Sequence, residues 1–218
     1  MTTDSVVVDV SQDWAVACGV QERFMEVPCA RTQTLTYSAR CRQMRALGGD
    51  CFDVLPLPGR RVALTVADAS GKGLPAALVI ANVQSSLRTA ALFAPGDVAA
   101  VVTAVNRQLH SSLQADRYAT LFYGVFDEGT RTLEYVNAGH NPPMVIRGGG
   151  SITWLEAGAP PRGSLRGYVL QGTRGPVEPG RFDRRLHGRY SRGGKHSGRR
   201  VGSAWPPWRH SCLSDTPT

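Results

Sequence analysis

Two short β-type runs, residues 51–57 and 62–68, flank Pro58-Gly59-Arg60, and this pairing constrains the fold of the 218-residue chain more than any other feature. A short connection with a central glycine joins antiparallel strands, whereas parallel strands need a crossover of about a dozen residues or more. The second run, Val62-Ala63-Leu64-Thr65-Val66-Ala67, is almost wholly apolar, which predicts a central strand covered on both faces. Both runs carry aspartate at an end beside glycine: Gly48-Gly49-Asp50-Cys51-Phe52-Asp53, and Ala67-Asp68-Ala69-Ser70-Gly71-Lys72-Gly73. Such carboxylates suit a hard divalent cation, which takes oxygen ligands and keeps several waters. Singly, each motif reads better as an Asx-type turn bonding local amides. Together they read as a metal site.

The rest of the folded part continues in the same style. Residues 1–10 form a short, frayed start. Ser11 or Asp13 caps a helix over 14–25, with Trp14, Ala17, Cys18 and Gln21 on one face, and Pro28 ends it. Residues 35–40 alternate like a half-buried strand. Pro75 suits a first helical turn and opens a buried, Ala- and Leu-rich helix over 76–92. Pro95-Gly96-Asp97 then starts a second helix over 98–113, striped by Val101, Val105 and Leu109. A second hairpin joins 119–126 to 132–137, and a third joins 144–147 to 152–155 across Gly148-Gly149-Gly150. Antiparallel hairpins with amphipathic helices predict an α+β layered fold, not a doubly wound βαβ sheet.

Charge and cysteine usage narrow the function. Residues 1–161 carry 13 Lys and Arg against 14 Asp and Glu, and residues 162–218 carry 12 against 3. The folded part is near neutral, which argues against a nucleic-acid-binding core; the basic tail has few aromatics before Trp205 and Trp208, so nucleic acid is not an expected partner. Five cysteines, with no Cys-x-x-Cys pair, predict a reducing compartment. No signal peptide and no membrane-length apolar run is recognised, so the expected location is the cytoplasm, without a membrane. The glycine loop is not a phosphate loop: Val66 stands where the Walker pattern needs glycine, and Gly73 where it needs Ser or Thr.

Gly-Gly-Asp-x-Phe-Asp, a strand, and Asp68-Ala69-Ser70-Gly71-Lys72-Gly73-Leu74-Pro75-Ala76-Ala77-Leu78 resemble the metal-dependent PPM-type protein Ser/Thr phosphatases, in the bacterial SpoIIE/RsbU-like branch. Tyr118-Ala119-Thr120-Leu121-Phe122-Tyr123-Gly124 and Val136-Asn137-Ala138-Gly139-His140-Asn141-Pro142-Pro143 follow in the same order, so the resemblance spans residues 35–158. It implies a sandwich of antiparallel sheets flanked by helices (α-β-β-α). It also implies a two-metal Mn²⁺ or Mg²⁺ centre built with Asp50, Asp68 and the Ala69 backbone carbonyl, with Asp50 and Asp68 as the catalytic pair. Asp53 is expected behind the metal. His140 reads as a turn residue in preference to a ligand or acid, and Lys72 as a solvated side chain or a phosphate neighbour. The implied activity is hydrolysis of phosphoserine or phosphothreonine on a regulatory protein of the anti-sigma-factor-antagonist type, with a homodimer left open.

The chain departs from the pattern near its end. The family's later acidic residues, one in a Thr-Asp-Gly sequence, have no counterpart, and Glu178-Pro179-Gly180 leads into Arg181-Phe182-Asp183-Arg184-Arg185, which does not read as a buried strand. The expected domain is therefore 11–160, incomplete at its C-terminal end, followed by a disordered Arg/Gly/Pro-rich tail over 161–218 produced by truncation or a shifted frame. The alternative function is a pseudo-phosphatase or regulatory binding module lacking those aspartates.

Overall fold

The computed structural model describes residues 10–26, 30–32, 34–41, 43, 46–113, 117–147, 151–156, 173–176 and 180–183. These lie within the first of two compact units, Met1–Arg184; the second, Arg185–Thr218, is outside the described residues. The chain opens with helix α1 (Val10–Phe24) and two short paired strands, β1 (Ala30–Arg31) and β2 (Thr36–Tyr37). Hairpin β3 (Asp50–Leu57) and β4 (Arg61–Ala69) follows, then helices α2 (Leu74–Phe93) and α3 (Val98–Ser112). Next come β5 (Ala119–Asp127), β6 (Thr132–Ala138), β7 (Met144–Arg147), β8 (Ile152–Trp154), β9 (Thr173–Pro176) and β10 (Gly180–Asp183).

The three expected hairpins and both expected central helices are present. The strand expected over 35–40 is only the two residues of β2. The main sheet has five antiparallel strands in the order β3-β4-β5-β6-β9, so the apolar run of β4 is interior, as its composition predicts. A second sheet has the order β10-β7-β8.

Alternation along the strands makes the layers. Cys51, Ala63, Ala67, Leu121, Tyr123 and Val136 face one way and pack with Ile80, Val83 and Leu87 of α2 and Val101, Val105 and Leu109 of α3. Phe52, Val66, Phe122, Phe126 and Leu133 face the other way, onto Val145 of the second sheet and Leu155 just after β8. The described residues thus form helices on a sheet on a sheet, the α-β-β part of the expected sandwich. By length and composition α2 is apolar enough to cross a bilayer, contrary to the sequence expectation. Its buried Ala76, Ala77, Val79, Ile80, Val83 and Leu87 make it a core helix of this sheet.

Strand pairing also passes the boundary expected at residue 160. Thr173–Pro176 pairs with β6, and Gly180–Asp183 pairs with β7. Residues 180–183 do form a strand despite Arg181 and Asp183, because β10 is at the edge of its sheet among the described residues and needs no continuous apolar run. The rest of 161–218, including the residues expected to be disordered, lies outside the described set.

Candidate metal centre

Asp50 and Asp68 come together because the β3–β4 register places them directly opposite each other. They share a sheet face with Thr120, which pairs with Asp68 from the other side. This is the face that carries Phe52, Val66 and Phe122, so the row sits at the end of the cleft between the two sheets. Opposed Cβ atoms in an antiparallel pair are about 4.5–5.5 Å apart, close enough for two carboxylates to repel or to share a cation. Asp68 is exposed as a residue, yet its carboxyl is pushed up to about 6 by lost hydration and then by the charge of Asp50.

The backbone around the pair is tightly built. The Ala69 amide donates to the Gly49 carbonyl at 2.8 Å. A side chain at Gly49 would put its Cβ 2.9 Å from the Ala69 carbonyl oxygen and 3.0 Å from the Ala76 Cβ. Gly49 is therefore required by space, and its absence of a side chain lets the Ala69 carbonyl reach the aspartates' turn. Beyond Ala69, Ser70 and Tyr118 exchange two bonds: the Ser70 amide donates to the Tyr118 carbonyl at 2.8 Å, and the Tyr118 amide donates to Ser70 Oγ at 3.0 Å. Gly71 (φ 100°) and Gly73 (φ 67°) then adopt left-handed conformations that turn the chain into α2.

Two expectations about neighbouring residues resolve differently. His140 is a buried turn residue: its amide donates to Asn137 Oδ1 at 2.9 Å, and its Nδ1 lies 2.9 Å from Thr120 Oγ1. Asp53 does not stand behind the metal. Three residues from Asp50, it falls on the opposite sheet face, where Arg88 of α2 holds it with two bonds of 2.6 and 3.0 Å.

Gln21 was expected only as part of the inner face of its helix. Its side-chain amide clasps the Gly48 peptide on both sides, Nε2 donating to the carbonyl at 2.8 Å and Oε1 accepting from the amide at 3.0 Å. Gln84 of α2 in turn donates to the Phe24 carbonyl at 2.8 Å, tying down the end of α1. No local pattern announces the clasp, because its partners are 27 residues apart.

Two facing aspartates, one of them made hard to ionise by lost hydration and then by the other's charge, with the Ala69 carbonyl against the adjoining Gly49, fit a hard divalent cation that also takes water. Among the described residues no cluster of three or more His, Cys, Asp or Glu side chains forms a ligand set.

This arrangement has known counterparts. The family model described as "Stage II sporulation protein E (SpoIIE)" matches residues 58–182. The chain belongs to the SpoIIE family. It is 27% identical over 129 residues to the phosphoserine phosphatase RsbP of Bacillus subtilis, covering 57% of this chain and 32% of that protein. It is 24% identical over 189 residues to Protein IcfG of Synechocystis, covering 74% and 30%. The chain thus spans about a third of the length of these curated relatives. Among solved structures, the RsbU and RsbW domains of Rv1364c from Mycobacterium tuberculosis match with a TM-score of 0.55 at 32% identity, over 63% of this chain and 38% of that one. The SiaA-PP2C domain of Pseudomonas aeruginosa matches with a TM-score of 0.61 at 16% identity, over 78% and 68%, and establishes the PP2C-type fold.

Proposed function

We propose that this chain is a metal-dependent phosphatase that hydrolyses phosphoserine or phosphothreonine on a regulatory protein. The observation that carries the reading is the placement of Asp50 opposite Asp68 at the cleft end, beside the Ala69 carbonyl. Asp50, Asp68 and the Ala69 carbonyl would hold Mn²⁺ or Mg²⁺. Bound there, such an ion supplies Lewis acidity toward a phosphoryl oxygen and makes water more acidic.

The protein's own part is positional and electrostatic. Asp50 and Asp68 supply negative charge for a cation, and without one Asp68 is only half ionised at about pH 6. Gly49 lets the Ala69 carbonyl and Ala76 approach closely, and Gly71 lets the Arg117 guanidinium pack over the loop, where it could meet a phosphate. His140 and Thr120 brace the next strand so that the row of Asp50, Asp68 and Thr120 holds its spacing.

The proposed substrate is a phosphorylated anti-sigma-factor antagonist, supported by the likeness to RsbP and RsbU and by the joint RsbU and RsbW domains of the mycobacterial relative. The proposed location is the cytoplasm, in keeping with five cysteines of which none forms a Cys-x-x-Cys pair. A second reading, a partner-binding module without hydrolysis, draws on the lack of a third acidic ligand among the described residues. Hydrolysis of p-nitrophenyl phosphate and of a phosphoserine peptide, with and without Mn²⁺, separates the two. Mn²⁺-dependent turnover that disappears in Asp68→Asn supports the enzyme; folded protein with no turnover supports the binding module.

A further inference from the structure

The ion pair between Asp53 and Arg88 lies away from the proposed metal site yet governs the element that leads into it. Asp53 is 5% exposed, at the interface between β3 and α2, and both of its carboxylate oxygens are taken by one guanidinium. Arg88 itself is about half in solvent, with 45% of its side chain exposed. A buried ion pair of this kind is weak evidence for stability, since an apolar pair of similar volume often serves as well. What bidentate geometry adds is register, because two parallel bonds fix both position and angle.

Register of this helix is otherwise set by Gln84, which donates to the Phe24 carbonyl at 2.8 Å, and by the fit of its buried face. The buried face of α2 sets small side chains, Ala76, Ala77, Val79, Val83 and Ala91, beside the larger Ile80, Gln84 and Leu87. A slip of one turn would move it about 5.4 Å. Only the four residues Ser70 to Gly73 separate the end of β4 from the start of α2, so any slip passes straight into Ala69 and Asp68. A further fixed point lies just before β3, where Ala76 closes on Gly49 with no room for a methyl group.

We propose that the Asp53–Arg88 pair is a positioning device for the metal centre: it sets the seat of α2 along β3 and so holds the loop of residues 70–73 and the Ala69 carbonyl in place. The inference rests on the reading of Asp50, Asp68 and Ala69 as the metal site. It explains why the Gly-Gly-Asp motif carries a second aspartate that points away from the metal.

Two readouts on the full chain test it. In EDTA, amide hydrogen exchange is followed at Ala69 and Ser70 for wild type, Asp53→Asn, Arg88→Lys and Val102→Ala, the last being a core change on α3 chosen as a matched loss of stability. Mn²⁺ affinity is then measured by calorimetry for the same set and for Asp68→Asn. The expected result is faster exchange at Ala69 and Ser70 in Asp53→Asn but not in Val102→Ala, with Mn²⁺ affinity about tenfold weaker or more, as for groups that orient metal ligands. Arg88→Lys, which keeps charge but not the fork, should fall between. If Asp53→Asn and Val102→Ala behave alike in both readouts, the pair is merely structural and the proposal is overturned. If wild type binds no Mn²⁺, the metal reading fails. Unchanged exchange in Asp53→Asn refutes the positioning role on its own.

Discussion

Removing one carboxylate from the facing pair should stabilise the metal-free protein while destroying its response to metal. In the fold the Asp68 carboxyl titrates at about 6 rather than 3.8, first because it has lost hydration and second because Asp50 faces it. A carboxyl with a raised folded-state value binds its proton more tightly folded than unfolded, so stability falls as pH rises between about 4 and 6 and stays lower above that. The rise would correspond to about 3 kcal/mol if felt in full. Asp68 is exposed, so solvent screening reduces this to about 1 kcal/mol. Asp68→Asn removes the charge, and in EDTA at pH 8 its melting temperature should exceed that of wild type by about 2–4 °C. At pH 4.5 the gap should close. Comparing the two proteins cancels Asp127 and Glu128, whose carboxyls hydrogen bonds hold below their usual range and whose contribution is lost only at lower pH. Saturating Mn²⁺ should reverse the order, since a ligand at 100 times its Kd adds about 2.7 kcal/mol to the protein that binds it. Thermal unfolding by circular dichroism at four pH values, with EDTA or Mn²⁺, measures all of this. A metal-free Asp68→Asn that is no more stable at pH 8, or a gap that ignores pH, would refute the claim that facing carboxylates strain the empty site.

Three further outcomes follow from the geometry. Gly49→Ala should cost about 1–3 kcal/mol, the usual penalty of overpacking, and weaken Mn²⁺ binding, because the new methyl meets the Ala69 carbonyl and the Ala76 Cβ; retained affinity in a calorimetric titration would show that the turn has slack. Gln21→Ala strips the Gly48 peptide of both partners and should cost about 1–3 kcal/mol by urea unfolding, with faster exchange at the Gly48 amide; unchanged exchange would mean that water replaces the clasp. Tyr123 is buried with its hydroxyl unpartnered among the described residues, and burial pushes that hydroxyl up to about 12. Tyr123→Phe should therefore be neutral or stabilising by up to about 1 kcal/mol, and a clear loss in the urea midpoint would reveal a partner for the hydroxyl.

The main hairpins and α2 and α3 were legible in the sequence because their signals are local: alternation, glycine turns, and Pro75 at a helix start. The juxtaposition of Asp50 and Asp68 is legible for the same reason, since both motifs flank one hairpin and an antiparallel register opposes its ends. Asp53 was misassigned to the metal because adjacency in a motif was read as adjacency in space. In a strand, an odd offset means the opposite face, and Asp53 went to Arg88, 35 residues away. The strand Gly180–Asp183 is not legible in the sequence, because its charged residues rule out a buried strand but not a strand paired with β7 at the edge of the described sheet.

The sequence by itself determined the hairpin order, the two long helices and the pair of acidic turns, all of which depend on residues a few positions apart. Only the tertiary structure decided which side chains lock them together: Gln21 on Gly48, Arg88 on Asp53, His140 beside Thr120, Ala76 against Gly49. Those contacts join residues 20 to 35 positions apart. No periodicity encodes them, because they exist only once the sheet's faces and the seat of α2 have been chosen by burial of the core.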